Sequence, residues 1–279
     1  MKLRWLIACL LALGVSAGCT QTNMPRSGQP DTLNRSGQFA PRMQSATPEL
    51  ADGPEHGVRS PAPMSLADLR SKYRSTFLLN GPATKREVAL TFDDAPDAVF
   101  TPKVLDALKQ EGVKATFFVV GNRVEAYPDI MKRMVREGHV IGNHSYSHAN
   151  LPKLTDNKFR EEIIKTDQLI REYTGSAPHI VRPPYGNINE DQIRWLSSQH
   201  KKIVNWNVDS LDWKGLSAEQ VATNVLAHVR PGSIVLQHAA GGVGEDLSGT
   251  VDALPKIIKK LREDGVKLVT VPELLGIAP

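Results

Sequence analysis

Short apolar runs alternate with longer amphipathic stretches over most of this 279-residue chain. Val88, Ala89, Leu90, Thr91 and Phe92 form a continuous run that predicts a buried strand over 87–92. Similar runs predict strands at 115–120, 140–143, 179–182, 203–208, 233–238 and 267–270. Between them the apolar positions recur at helical spacing. Leu105 and Leu108 predict a helix after the first strand, with Thr101 as its cap, Pro102 at the first helical position and Gly112 as its stop. Further helices are predicted over 128–137, 156–173, 189–198, 217–229 and 251–264, with a terminal turn at 271–275. Such alternation belongs to the α/β class, in which a largely parallel sheet is covered by helices. An open sheet and a closed barrel both satisfy it. Ionisable residues follow at least five of the strands, which favours a distorted (β/α) barrel of about seven parallel strands. Its active site would sit at the C-terminal ends of the strands.

The first 65 residues break this pattern. Lys2 and Arg4 precede an apolar stretch from Trp5 to Val15 and the small residues Ser16, Ala17 and Gly18, so 1–18 reads as an export signal. The stretch is short for a bilayer span. Its ending at Cys19 resembles a bacterial lipoprotein signal, although Ser16 stands where an apolar residue is usual. Lipidation of Cys19 would hold the protein on a membrane surface; ordinary secretion is the alternative. Residues 19–65 are rich in Ser, Gly, Pro, Gln and Asn without apolar periodicity and read as a flexible polar tether. The folded domain is then 66–279, outside the cytoplasm. Only Cys9 and Cys19 exist, so that domain has no disulfide and its stability must come from its core. Loss of Lys2 and Arg4 with the signal halves the formal charge of +4, and no long basic run follows, so nucleic acid is not an expected partner.

Two motifs carry the chemistry. The first strand ends in Asp93 and Asp94, and the run Val140 to Asn143 ends in His144-Ser145-Tyr146-Ser147-His148. Two histidines four apart on a helical turn project from one face, about 5–6 Å apart at Cβ. Two imidazoles and a carboxylate make a divalent-metal site with room for water, for which Zn²⁺ is the expected ion and Co²⁺, Ni²⁺ or Mn²⁺ are alternatives. A second carboxylate beside the ligand could take a proton from that water. Either motif alone is commonplace. Together, at the ends of strands, they point to metal-assisted hydrolysis. Both aspartates must approach one water although neighbouring strand residues face opposite ways, so the chain is expected to bend out of the strand here, aided by Pro96.

Three more segments close strands: Arg182-Pro183-Pro184-Tyr185-Gly186, Asp209-Ser210-Leu211-Asp212-Trp213, and Ile234-Val235-Leu236-Gln237-His238. In this order the five motifs resemble the polysaccharide deacetylases of the NodB-homology type, carbohydrate esterase family 4, over roughly residues 85–275. The resemblance implies Asp94, His144 and His148 as metal ligands, Asp93 as catalytic base and Arg182 as the residue that orients it. It implies a Tyr185 backbone N–H on the oxyanion, and His238 as the acid that protonates the leaving amine, tuned by an aspartate of the fourth motif, assigned to Asp209. Trp213 and Leu236 would line the pocket for the acetyl methyl. One departure stands out. The family usually has Asp-Asp-Gly-Pro where this chain has Asp93-Asp94-Ala95-Pro96, and an alanine at positive φ would cost on the order of 1 kcal/mol.

The implied activity is removal of N-acetyl groups from a β-1,4-linked N-acetylhexosamine polymer by a monomeric enzyme. Export makes peptidoglycan the first expected substrate, at N-acetylglucosamine before N-acetylmuramic acid, with chitin oligomers next. An O-acetyl xylan esterase and a catalytically silent glycan-binding lipoprotein are the competing expectations. A two-metal nuclease or phosphatase lacks its second carboxylate cluster. The remaining histidines, His56, His139, His179, His200 and His228, are expected to play no part in the chemistry.

Overall fold

The computed structural model describes residues 65–279. The signal, Cys19 and residues 19–64 lie outside the described residues. The central strand is β2 (Glu87–Ala95), buried along nearly its whole length as a parallel strand covered on both faces should be. It pairs with β3 (Thr116–Val119) on one side and β8 (Ile234–His238) on the other, and its first residues also pair with β9 (Lys267–Leu268). Beyond β3 follow β4 (Val140–Asn143), β5 (Ile180–Val181), β6 (Lys202–Val204) and β1 (Phe77–Leu78), and β7 (Val208–Asp209) lies beyond β8. Every ladder is parallel.

This is the expected distorted barrel, with nine short strands among the described residues rather than about seven. The two-residue β1 is too short to signal itself. The run expected as one strand at 203–208 divides into β6 and β7, which join opposite ends of the sheet path. Asn205, Trp206 and Asn207 bridge the gap. The Asn207 side chain bonds Ser233 Oγ and the Ile234 N–H, taking the place of a ladder.

The helices are α1 (Ser65–Lys72), α2 (Thr101–Gln110), α3 (Gly121–Ala126), α4 (Pro128–Arg136), α5 (Asp156–Thr174), α6 (Glu190–Ser198), α7 (Ala218–His228), α8 (Ser248–Glu263) and α9 (Val271–Leu275). None of them is long and apolar enough to cross a membrane. α5 shows how sequence dictates packing. Thr155 caps it, Gly175 ends it in the left-handed region, and Phe159, Ile163, Thr166 and Ile170 form one buried stripe at steps of four and three. α2 departs from expectation at its start. Its cap is not the Thr101 side chain; Asp97 Oδ1 accepts the N–H groups of Val99, Phe100 and Thr101, while Thr101 Oγ1 donates to Ala239 O.

Along β2 the faces alternate. Val88, Leu90 and Phe92 join the large apolar layer with Leu105 and Leu108 of α2 and Ile257 and Ile258 of α8. Ala89 belongs to a second cluster with Phe118, Ile180, Val204 and Ile234, and Val271 and Leu274 of α9 pack into it. Asp93 has the same strand parity as Ala89 and Thr91, so it faces the side where Arg182 waits. Burying Leu and Phe side chains in such layers contributes about 1.5–3 kcal/mol each.

Candidate metal centre and catalytic site

Asp93 and Asp94 reach the same space because the chain turns at Asp94. Asp94 has φ 70°, and the register of β2 against β3 shifts between Phe92 and Ala95. The bend therefore lies at the candidate ligand itself, where the pair of aspartates was expected to leave the strand. It also answers the question raised by Ala95. The left-handed residue is Asp94 and not Ala95, so the alanine carries no positive-φ cost and sits buried in the apolar layer.

The pentapeptide that carries the histidines is not a helical turn. His144 follows β4, and Ser145 and His148 both take positive φ, 65° and 60°, so the segment is a tight loop that folds the two imidazoles together at a centroid distance of 4.9 Å. Side chains hold that loop. Asn143 Oδ1 accepts from the Ser145 N–H, and Ser145 Oγ accepts from the His148 N–H. From α5, Glu162 takes the Tyr146 N–H, the Ser147 N–H and the Ser147 hydroxyl at 2.7–2.9 Å.

In this arrangement Asp94 Oδ1 lies 3.5 Å from His144 Nε2 and 3.2 Å from His148 Nε2. All three side chains are buried, and the candidate ligand atoms lie within 4.8 Å of one another. Among the described residues, neither Asp94 oxygen nor His144 Nε2 has a hydrogen-bond partner. Buried polar atoms are rarely left so, and converging lone pairs of this kind fit a divalent ion. Burial pushes His144 below the ordinary histidine range despite the nearby Asp93 and Asp94, which favours the neutral imidazole that a metal needs. The outer nitrogens are also held: His144 Nδ1 lies 2.6 Å from Arg182 O, and His148 Nδ1 lies 3.1 Å from the Tyr185 hydroxyl. Such partners fix the ring orientation of ligating histidines.

Asp93 stands beside the cluster. Its Oδ2 is 3.6 Å from His144 Nε2, and its Oδ1 accepts from Arg182 Nη1 at 2.7 Å. Arg182 is wholly buried and spends its remaining donors on Thr91 Oγ1, Val204 O and Asn205 O, with its guanidinium 4.1 Å from the Phe118 ring centroid. On the adjacent strand, His238 is the register partner of Asp93. Strand neighbours lie about 4.8 Å apart, which brings carboxylate and imidazole together at one edge of the site.

The aspartate on His238 is Asp212, which corrects the assignment to Asp209. Asp212 Oδ1 meets His238 Nδ1 at 2.8 Å, and Oδ2 accepts the His238 N–H and the Thr250 hydroxyl, each at 2.8 Å. Asp209 instead ends β7 and accepts the Leu211 N–H, closing a turn. Leu211 is left-handed at φ 57°, and the turn it makes carries Asp212 inward. Burial by itself would raise the Asp212 carboxyl, but the His238 imidazole and these hydrogen bonds outweigh it and hold the group below its ordinary value.

Leu236 is buried on β8 with the parity of His238, and Trp213 is half-buried next to Asp212, where its N–H reaches Asp212 Oδ1. Tyr185 is itself left-handed at φ 59°. Thr91, Thr250, Asn143 and Glu162 complete the supporting shell. Nothing in sequence spacing marks them, since their partners lie elsewhere in the chain. His139 is buried and accepts the Ala115 N–H on its Nδ1.

Comparison with known proteins agrees with this geometry. The family model for polysaccharide deacetylase matches residues 80–203. A peptidoglycan-N-acetylglucosamine deacetylase of Bacillus cereus is 51% identical over 203 residues, spanning 73% of this chain and 72% of that protein. The peptidoglycan-N-acetylmuramic acid deacetylase PdaC of Bacillus subtilis is 40% identical over 192 residues, 68% of this chain and 39% of PdaC. The crystal structure of the Bc1960 peptidoglycan N-acetylglucosamine deacetylase superposes with a TM-score of 0.72 at 49% identity, covering 75% of this chain and 97% of that one. On that identity and coverage, the chain belongs to the polysaccharide deacetylases of the NodB-homology type, the hydrolases of carbohydrate esterase family 4.

Proposed function

We propose that this chain is a metal-dependent enzyme that removes N-acetyl groups from the N-acetylglucosamine of peptidoglycan, outside the cytoplasm. One observation carries this reading: Asp93 tied to Arg182, and His238 tied to Asp212, stand beside a buried Asp94, His144, His148 cluster. Asp94, His144 and His148 would hold a divalent ion, Zn²⁺ by the donor set with Co²⁺, Ni²⁺ or Mn²⁺ as substitutes, and when bound it would supply a lowered water pKa and a polarised acetyl carbonyl. Asp93 takes the proton of the attacking water, and Arg182 keeps its carboxylate turned to the site. His238 gives a proton to the leaving nitrogen, because an amide anion is a very poor leaving group. Asp212 engages Nδ1, which leaves Nε2 as the nitrogen that delivers it. The Tyr185 N–H is assigned to the developing oxyanion, and Leu236 and Trp213 to the acetyl methyl.

The substrate follows from the relatives named for peptidoglycan N-acetylglucosamine in Bacillus cereus and Listeria monocytogenes. The location follows from the sequence: an export signal at 1–18, a lipid on Cys19, a tether over 19–65 that lets an anchored monomer reach the wall, and a catalytic domain over 66–279.

The test is acetate release from purified peptidoglycan and from N-acetylglucosamine oligomers, by metal-loaded, chelated and zinc-restored protein. Release from peptidoglycan that needs the ion and falls on the order of 10²–10⁴-fold in Asp93→Asn is the expected result. Preference for free oligomers would move the substrate to chitin-like glycans. Product analysis showing deacetylated muramic acid would move the position. Cleavage of an acetylated xylan alone would make the protein an esterase, and silence on every substrate a binding protein.

A further inference from the structure

Arg123 on α3 is 1% exposed, yet it takes no part in the chemistry described above. Its guanidinium is met by two carbonyls instead of a carboxylate. Nη1 donates to Asp94 O at 2.9 Å and Nη2 to Gly241 O at 2.7 Å, while Nε has no hydrogen-bond partner. A cation buried without a counter-charge is unfavourable, so mere space-filling is a poor account of it. The two carbonyls point elsewhere. One belongs to Asp94, the carboxylate of the metal cluster, whose backbone is left-handed at φ 70°. A non-glycine residue in that region persists only when its surroundings over-determine it. The other belongs to the loop 239–247, which leaves His238 and leads into α8, where Thr250 holds Asp212.

Neighbouring contacts close the same junction. Thr101 Oγ1 donates to Ala239 O, the Ala239 N–H to Asp93 O, and the Val120 N–H to Ala95 O. The guanidinium thus touches both the backbone of the candidate metal cluster and the loop behind His238.

We propose that Arg123 is a positioning residue of the metal centre. It fixes the Asp94–Ala95 peptide plane, and with it the direction of the Asp94 carboxylate, against the loop that follows His238. A planar fork is suited to spanning two carbonyls at a set separation, as a single ammonium is not. The proposal rests on the reading of Asp94 as a metal ligand.

The test uses the full chain as wild type, Arg123→Met and Arg123→Lys, with folding checked by circular dichroism and urea midpoint. Zn²⁺ affinity is measured by chelator competition, and the Co²⁺-substituted proteins are compared by visible absorption. Arg123→Met fills similar volume without donors. It is expected to bind Zn²⁺ about 10–100-fold more weakly and to show a changed Co²⁺ spectrum, as loss of outer-shell support does elsewhere. Arg123→Lys should fall between it and wild type. Turnover at saturating ion should fall in kcat more than it changes KM. Affinity within twofold of wild type and an unchanged Co²⁺ spectrum in folded Arg123→Met would overturn the proposal. Where that variant does not fold, the same two readouts in Arg123→Lys decide it. A wild-type chain that binds no divalent ion would instead overturn the metal reading on which the proposal stands.

Discussion

Asp212 is a buried carboxylate surrounded by donors: the His238 ring and N–H, the Thr250 hydroxyl and the Trp213 N–H. These keep it ionised, and an ionised neighbour favours the protonated imidazole. Asp212→Asn removes that charge at nearly constant shape. Amide hydrolysis is expected to fall on the order of 10²–10⁴-fold, and the alkaline limb of kcat/KM to move to lower pH, because His238 then gives up its proton more readily. Asp209→Asn, which alters the acceptor of the Leu211 N–H, should stay within a few fold of wild type with its pH profile unmoved. Profiles of the two variants measured side by side decide the matter; the reverse ranking would return the role to Asp209. The distinction was hidden in the sequence because both aspartates follow one strand. Only the left-handed Leu211 between them selects the second, and no residue type announces that conformation. Arg182, by contrast, was reached through the resemblance of its motif to the family, since Arg-Pro-Pro-Tyr-Gly by itself reads as a turn.

The heads of β3 and β4 are joined through His139, which is buried, takes the Ala115 N–H on Nδ1 and packs edge-on against Phe117 at 5.2 Å. Burial first, then the charge of Lys114, lowers its pKa from 6.5 to about 4. The unfolded chain therefore binds a proton between those values that the folded chain refuses, so stability rises with pH across this window. This contribution is complete above about pH 6.5 and is lost progressively as the pH falls to about 4, by about 3 kcal/mol in all. His139→Gln should keep an acceptor for Ala115 and flatten that part of the profile. Urea unfolding at pH 7 and pH 4.5 compares the two proteins, and equal acid losses would refute the assignment. At this scale the long elements were legible, because a continuous apolar run and a 3.6-residue stripe each have one economical placement. The histidine loop was not. Its shape depends on Glu162, which binds from α5, 15 and 16 residues further along the chain. Spacing alone could suggest only a helical turn.

For the molecule as a whole, alternation of strand and helix made the barrel legible, while its closure was not, since it runs through the Asn207 side chain, the Asn207 N–H on Ile234 O and the isolated Asn80–Ser233 bridge. The candidate metal cluster draws on the run of neighbouring strands from β2 to β5. Asp94 is the penultimate residue of β2, His144 and His148 follow β4, and their partners Arg182 and Tyr185 follow β5. An ion held there ties these strand ends together only in the folded chain. It should stabilise the fold by about 4 kcal/mol when present at about a thousand times its Kd, a large effect in a domain whose sequence after Cys19 contains no cysteine. The melting temperature should therefore climb with free Zn²⁺ and fall on chelation. Asp94→Ala is expected to abolish that dependence. Asp93→Asn is expected to retain most of it while losing turnover, because Asp93 is held by Arg182 and is proposed as the base rather than a ligand. Thermal melts across a buffered Zn²⁺ series, paired with acetate release, separate the two aspartates. If Asp93→Asn loses the zinc-dependent rise together with its activity, Asp93 is a ligand, and the proton must pass to another group.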